Sequence, residues 1–501
     1  MHLIGLDIGT TSCKAIVFDA DGRMRGQACR EYGMLCDASA KAEQDAEAVW
    51  SLTREALGEA VTQSRAKDVA ALSVSAQGDA IIPVDADFRA LHPAILGMDY
   101  RSEPHARRCE ERLDGFTVFR RTGMRPHPMN SFCKVLLLRE LSPKTFDSAA
   151  RIVTYADFIL GKLGGEAMID HTMASRTMAF DSHAMAWDGL VHQAFGVNPA
   201  IWSQPVPSGT VAGKLRPALA EDLGLTRDLL LITGGHDQTC AAIGAGAIRE
   251  GLGIISTGTA EVLATALPRP VLSKLMYDSY YPCYLHARPG MHFTFSLNHI
   301  GGILLKWWRD NLAAAETADA AARGTEPYAL IDERMPDGLA PVLFLPHLNG
   351  SGTPLCDLQS KGAIVGLTMG TTRHDIAKAI LEGLCFELRT NVQTLTNCGI
   401  AINELVAVGG GAKSERWLQL KADILNRPLR VLSCREAACL GAALLAGTAA
   451  GAWSTLEEAV AQTVKYAREF VPAPGRAADY AERFSVYQQL HPALQTLNPR
   501  L

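Results

Sequence analysis

Two strand–turn–strand segments half a chain apart constrain this 501-residue sequence more than any other feature. Laying GLDIGTTSCKAI beside GIISTGTAEVLA sets Gly9-Thr10 over Gly258-Thr259. An offset of half the chain length is what a duplicated fold would leave behind. Gly-Thr turns between strands are also common, so the repeat by itself does not decide between duplication and coincidence. The length exceeds that at which one hydrophobic core stops growing, so two domains are expected in either case.

Short β-branched or apolar runs alternate with longer helical patterns, which predicts an α/β architecture. Leu3–Leu6 and Lys14–Phe18 read as paired strands, and the turn chemistry of Asp19-Ala-Asp-Gly22 closes a further hairpin. Ala70–Ser75 and Leu229–Ile232 read as buried strands, Gly253–Ser256 and Glu261–Thr265 as a second hairpin, and Leu405–Val408 as a strand entering Gly409–Gly411. The helix that follows carries an apolar stripe at Trp417, Leu420, Ile424 and Leu425. No flexible linker interrupts the chain, and the boundary is expected near Ala245–Glu250, giving domains 1–246 and 247–501 packed across a cleft.

Composition narrows the class of partner. Net charge is −5 and no Lys/Arg block stands out, which argues against nucleic acid and anionic membranes. The N-terminus runs directly into a strand-like segment without a signal sequence, and the uncharged stretch Ala437–Trp453 is too short and too rich in Ala and Gly to span a bilayer. The twelve cysteines include no C-x-x-C pair, which reads as buried thiols of a cytoplasmic protein.

Small-residue turns carry the candidate phosphate chemistry. In Asp7-Ile8-Gly9-Thr10-Thr11-Ser12, backbone N–H groups and short hydroxyls can approach phosphate oxygens, Lys14 can add a charge, and Asp7 can hold magnesium. A polar β-turn with a solvated Asp accounts for the same residues. Thr257-Gly258-Thr259 offers a second such turn. The run Gly409-Gly410-Gly411-Ala412 is neither a G-x-G-x-x-G fingerprint nor a P-loop, since Ala412 stands before Lys413-Ser414. It can still let a nucleotide lie against the backbone, or serve only as a tight strand-to-helix turn.

Gly234-Gly235-His236-Asp237-Gln238 places a carboxylate and an amide after a buried strand, and Asp237 is the candidate base for a hydroxyl nucleophile. His236 is read as structural. Gln77-Gly78-Asp79 and Asp99-Tyr100-Arg101 supply side chains suited to a polyhydroxylated ligand, or solvated loop residues.

Together and in order, GLDIGTTSCKAIVFD, GGHDQTCAAIGAG, STGTAEVL, NHIGGILLKWWRD, FLPHLNGSGTP, AILEGLCFELRTN and VGGGAKSERWLQLKADILNRPLRV resemble the FGGY family of carbohydrate kinases over nearly the whole chain. The resemblance implies an actin-like ATPase (ribonuclease H-like) duplicated fold, with two domains, a central cleft, ATP and Mg2+. It places Asp7 near the metal, Thr10 and Thr11 on the terminal phosphates with Ser12 and Lys14 beside them, and Thr257, Gly258 and Thr259 in the second phosphate loop. Gly301, Gly302 and Gly409–Ala412 lie near the nucleotide, and Asp237 is the base. Gln77, Asp99 and Gln238 face the sugar, with Asp79 and Arg101 as further contacts.

Members that resemble glycerol kinase carry Arg-Glu after their Gln, and xylulose-type members tend to show Met-His in that region, whereas Gly78-Asp79 stands here. Gly97-Met98 replaces a Trp that many relatives place close to Asp99, and His127-Pro128-Met129 resembles gluconate-type members. A five-carbon ketose or related polyol ranks first as substrate and an aldonate second, with Arg101 or Arg176 available to meet a carboxylate. The resemblance is compatible with a homodimer. A nucleotide-controlled switch on the same fold, or an inactive sugar sensor, are the readings from other classes.

Overall fold

A computed structural model describes residues 1–500. The chain is built around two mixed sheets. The first has the spatial order Met24–Glu31, Ser12–Asp19, His2–Ile8, Val69–Ala76, Leu230–His236, Val211–Lys214. Its first three strands form an antiparallel meander, and Val69–Ala76 and Leu230–His236 add in parallel. The second runs Tyr284–Leu285, His292–Asn298, Glu261–Leu267, Gly251–Thr257, Ile402–Gly409, Leu429–Leu432, Tyr466–Phe470. It repeats the meander followed by two parallel strands.

The match extends strand for strand to the antiparallel edge, where chain order differs. Val211–Lys214 precedes its neighbour in the chain, whereas Tyr466–Phe470 follows its own. The half-chain repeat is therefore the trace of a duplicated topology. The two hairpin turns differ by one residue, Ile8 pairing with Cys13 but Thr257 with Glu261.

Central strands are covered on both faces, so their apolar residues run almost without a break. Ile4, Leu6 and Ile8 pack with Val49, Leu57, Phe158 and Ile159 from the helices Ala46–Ser64 and Tyr155–Leu163. Leu3, on the opposite face, shares a core with residues of the helices Asp237–Gly244 and Ala437–Ala449. That core also takes in Ile254, Ala264 and Val406 of the second sheet, so it runs continuously across the seam between the halves.

The seam depends on glycine. Asp237–Gly244 and Ala437–Ala449 follow equivalent strands and pack backbone to backbone. A Cβ on Gly441 would lie 1.8 Å from the Cys240 carbonyl oxygen, and one on Gly244 would lie 2.0 Å from that of Ala437. The other face of the second sheet is covered by Arg373–Asn397 and Glu415–Leu425. Ser414 caps the latter by accepting from Trp417 N, and all four residues of its expected stripe are buried. No helix among the described residues is long and apolar enough to cross a membrane, and all twelve cysteines are free.

Candidate active site

The first hairpin turn is held from behind by three side chains. Tyr32 Oη and Gln77 Nε2 donate to the Gly9 carbonyl at 2.7 and 3.2 Å, and buried Gln44 Nε2 donates to that of Thr10 at 3.0 Å. Thr10 Oγ1 donates to Gln77 Oε1 at 3.2 Å. With the carbonyls tied back, the amides of Thr10 and Thr11 have no protein acceptor among the described residues. Two free N–H groups on a small-residue turn form a concavity for an anion. Gln77, expected on the sugar, is thus also the brace of this turn.

Asp7 lies at the carboxyl end of its strand, in register with Lys14 on one side and Ser75 on the other. Ser75 Oγ donates to Asp7 Oδ1 at 2.8 Å, while burial raises the carboxyl above its ordinary range. Lys14 is claimed by Glu436 of the second half, Nζ to Oε2 at 2.6 Å.

Asp237 opens the helix that follows Leu230–His236. Its Oδ1 accepts from Gln238 N at 2.6 Å and lies 3.2 Å from His236 Nε2. Oδ2 has no protein partner among the described residues, and the side chain stays 31% exposed on the cleft. Burial, and next the charge of Asp7, push this carboxyl up to about 7. Gln238 is half-buried and its amide is unengaged among the described residues. His236 is buried, Nδ1 lying 3.0 Å from Tyr284 Oη, and desolvation holds it well below the usual imidazole range.

The second turn and the glycine run come together. Gly301 N donates to Thr259 O, and Gly302 N to Gly258 O, both at 2.8 Å. Cβ atoms on Gly409 and Gly411 would lie 2.7 and 2.6 Å from Thr257, so only glycine permits this approach. Ala412 sits in the single 3-10 turn Gly410–Lys413 beside them. Below the turn, Lys421 Nζ donates to Glu261 Oε1 and to Thr257 Oγ1, each at 2.7 Å, with both charged side chains fully buried.

The expected sugar contacts divide. Asp79 adopts a positive φ of 69° and pairs with buried Arg176. Asp79 Oδ1 and Arg176 Nε are left buried without partners among the described residues. The guanidinium carbon of Arg176 stands 5.2 Å from the Tyr284 ring centroid and 5.5 Å from that of Phe295. Asp99 and Arg101, by contrast, turn inward. Asp99 is wholly buried, its oxygens taken by Arg101, by Arg101 N and by Ala42 N. Arg101 Nη2 also donates to Glu43 Oε1 at 2.6 Å, and its Nη1 makes no hydrogen bond among the described residues. A carboxylate whose oxygens are taken by Arg101 and Ala42 N has no lone pair left for a ligand, so Asp99 shapes the wall, while Arg101 keeps a free Nη1 edge.

A cavity of 160 Å³ between the halves is lined by Tyr100, Arg125, His127, Asn130, Arg176 and Tyr280 among others. Arg125 is sandwiched between the Tyr277 and Tyr280 rings at 4.4 and 4.3 Å, and burial lowers His127 to about 4, so it is a neutral donor or acceptor. A larger hollow of 750 Å³ near Trp187 and Trp202 contains none of the residues described above. Tyr284, Glu261–Lys421, Gln44 and Glu436 were not legible as site residues, because each acts through a partner distant in sequence with no local pattern to mark it.

Residues 2–244 match the N-terminal domain model of the FGGY family of carbohydrate kinases, and residues 253–450 its C-terminal domain model. Among curated relatives, a xylulose kinase of Bacillus subtilis strain 168 is 27% identical over 505 residues, covering 100% of this chain and 98% of the relative. A gluconokinase of the same organism is 27% identical over 500 residues, covering 99% and 96%. Among solved structures, a ligand-bound xylulose kinase from Lactobacillus acidophilus superposes with a TM-score of 0.90 at 25% identity, covering 100% of this chain and 99% of the other. A gluconate kinase from that species gives 0.89 at 26%, covering 98% of each.

Proposed function

Since this chain belongs to the FGGY family of carbohydrate kinases and is an ATP-using phosphotransferase acting on a sugar hydroxyl, we propose that Asp237 is the base of that reaction. The observation that carries this is the division of its carboxylate: Oδ1 accepts from Gln238 N, while Oδ2 has no partner among the described residues and the side chain stays partly exposed, with the Asp7 charge close enough to act on it. A carboxyl raised to about 7 is matched to accepting a proton near neutrality.

Magnesium fits this site. The charge of Asp7 raises the Asp237 carboxyl, as carboxylates do to a neighbour where a cation is wanted, and hard oxygen donors suit this ion. No cluster of three or more metal-binding side chains occurs among the described residues, which agrees with an ion that keeps most of its waters. Asp7 would hold it, and when bound it neutralises charge on the transferring phosphates. The free amides of Thr10 and Thr11, with the turn Thr257–Thr259, hold the phosphates from the two halves, which we divide at 1–246 and 247–501. Gly301, Gly302 and Gly409–Ala412 leave room for the rest of the nucleotide. Asp237 Oδ2 then takes the sugar proton as transfer advances, and closure of the halves excludes water as a competing acceptor.

The compact cavity suits a five-carbon ketose such as xylulose, the activity named for several relatives. A sugar acid such as gluconate is the second reading, favoured by the two guanidinium groups of Arg125 and Arg176 at that cavity. Assembly as a homodimer is supported by the exposed apolar residues Val365, Leu367 and Met369 at the edge strand Ala363–Val365. A cytoplasmic location follows from the need for ATP. Coupled ADP release with Mg·ATP across ketoses, polyols and aldonates tests the proposal. One compound should stimulate strongly, and Asp237→Asn should lose at least about a hundredfold in kcat while still binding ATP. A near-normal Asp237→Asn would remove the base assignment.

A further inference from the structure

We propose that Tyr284 and His236 are a positioning pair for the base, Tyr284 fixing the tautomer of His236 and His236 fixing the orientation of Asp237. The inference rests on the reading of Asp237 as base and adds how it is aimed. His236 ends the strand Leu230–His236 of the first sheet, and its N–H donates to Thr172 Oγ1 at 2.7 Å. Tyr284 belongs to the second sheet, in register with Phe293. The pair therefore spans the two halves at the point where the base projects.

The protons are assigned by exclusion. Tyr284 is fully buried, burial raises its phenol well above the ordinary value, and it keeps its proton. Burial and the nearby Arg176 cation keep His236 neutral, so its ring carries one N–H. The buried phenol has no other acceptor among the described residues, so at 3.0 Å it is assigned as donor to Nδ1, which puts the ring proton on Nε2, the atom 3.2 Å from Asp237 Oδ1. The other charged groups acting on this cluster are Asp79, paired with Arg176, and Asp7.

The ring positions are fixed by packing. A Cβ on Gly78 would lie 2.8 Å from both Cδ2 and Nε2 of His236, so the backbone at Gly78 closes directly over the imidazole. The Tyr284 ring is held by Phe293 and Phe295, with centroids at 5.6 and 6.1 Å, and by the Arg176 guanidinium. Gln238 N donates to Oδ1 and His236 Nε2 stands 3.2 Å from the same oxygen, so turning the carboxylate gives up one hydrogen bond and this close contact, which favours Oδ2 toward the acceptor. No proton moves along the pair during the reaction. Without the phenol, the imidazole is free to carry its proton on Nδ1, which sets an Nε2 lone pair against Oδ1 and repels it.

Tyr284→Phe, His236→Leu, His236→Gln and Asp237→Asn, assayed together for kcat, both KM values and melting temperature, test this. Tyr284→Phe should lower kcat by about tenfold, the scale of a small misplacement of a reacting group, with both KM values held and only a small fall in melting temperature from the buried Nδ1 left without its donor. His236→Leu should lose at least as much. His236→Gln, whose amide supplies a donor near the Nε2 position, should recover most of the rate and be insensitive to added Tyr284→Phe. Wild-type kcat in Tyr284→Phe and His236→Leu, with Asp237→Asn inactive, would overturn the pair and leave the base standing. Loss of kcat only in step with KM and melting temperature would also overturn it, as a packing role. An active Asp237→Asn would instead remove the base reading itself.

Discussion

Lys421→Met tests whether the second phosphate turn depends on charge buried beneath it. The ammonium donates at 2.7 Å to both Glu261 Oε1 and Thr257 Oγ1, lies 4.2 Å from the Trp417 ring centroid, and is sealed from water together with Glu261. Methionine keeps the apolar stem and removes the charge, so Glu261 becomes a buried carboxylate with one hydroxyl donor, from Thr257, and an Oε2 that already lacks a partner. Stranding one member of a buried pair costs about 3–5 kcal/mol. That is a large part of the about 5–15 kcal/mol by which a domain is stable. Lys421→Met/Glu261→Leu removes both charges, and its remaining cost is the Thr257 hydroxyl left without an acceptor, about 1–3 kcal/mol. Urea unfolding followed by tryptophan fluorescence should therefore rank wild type above the double variant and the double variant above Lys421→Met. The KM for ATP should rise most in Lys421→Met. A loss below about 1 kcal/mol in the single variant would mean the pair behaves as a solvated surface bridge, and would refute the argument.

Four further outcomes follow from the geometry. Because Asp237 is raised to about 7, kcat/KM of the free enzyme should fall about tenfold per unit as pH drops below that value; a limb near 4 would contradict the buried, Asp7-coupled setting. Asp237, Asp157 and Glu382 near 7 and Asp170 near 6 all bind protons more tightly folded than unfolded. Their combined contribution to stability is present at acid pH and is lost as pH rises through about 6–7, measurable as a falling urea midpoint in ligand-free protein. Gly441→Ala forces a Cβ to within 1.8 Å of the Cys240 carbonyl and should cost at least about 1–3 kcal/mol by parting the seam helices; an unchanged melting temperature would show that the seam yields freely. Gly302→Ala meets Gly258 O at 2.8 Å and should raise the KM for ATP while leaving that for sugar unchanged.

Much of this protein is written locally. The alternation of short apolar runs with helical periods, the two Gly-Thr turns and the buried Trp417 stripe each depend on residues within a few positions of one another, and each formed as its pattern implies. Asp7, Thr10 and Asp237 stood out as candidates for the same reason, since each stands at or just past a strand end where the backbone turns. Other features depended on tertiary structure. Asp99 read as a ligand group until the fold set Arg101 and Ala42 N against it and used up its lone pairs. Lys14 was spent on Glu436, and Glu261 was neutralised by Lys421, across separations that no period or spacing encodes. A turn is specified by its own dihedral preferences, whereas the partner of a buried charge is specified by which distant backbone the core brings beside it. In this chain the sequence by itself therefore determined the duplicated scaffold and the two small-residue turns, and tertiary packing decided which polar groups remain free of protein partners.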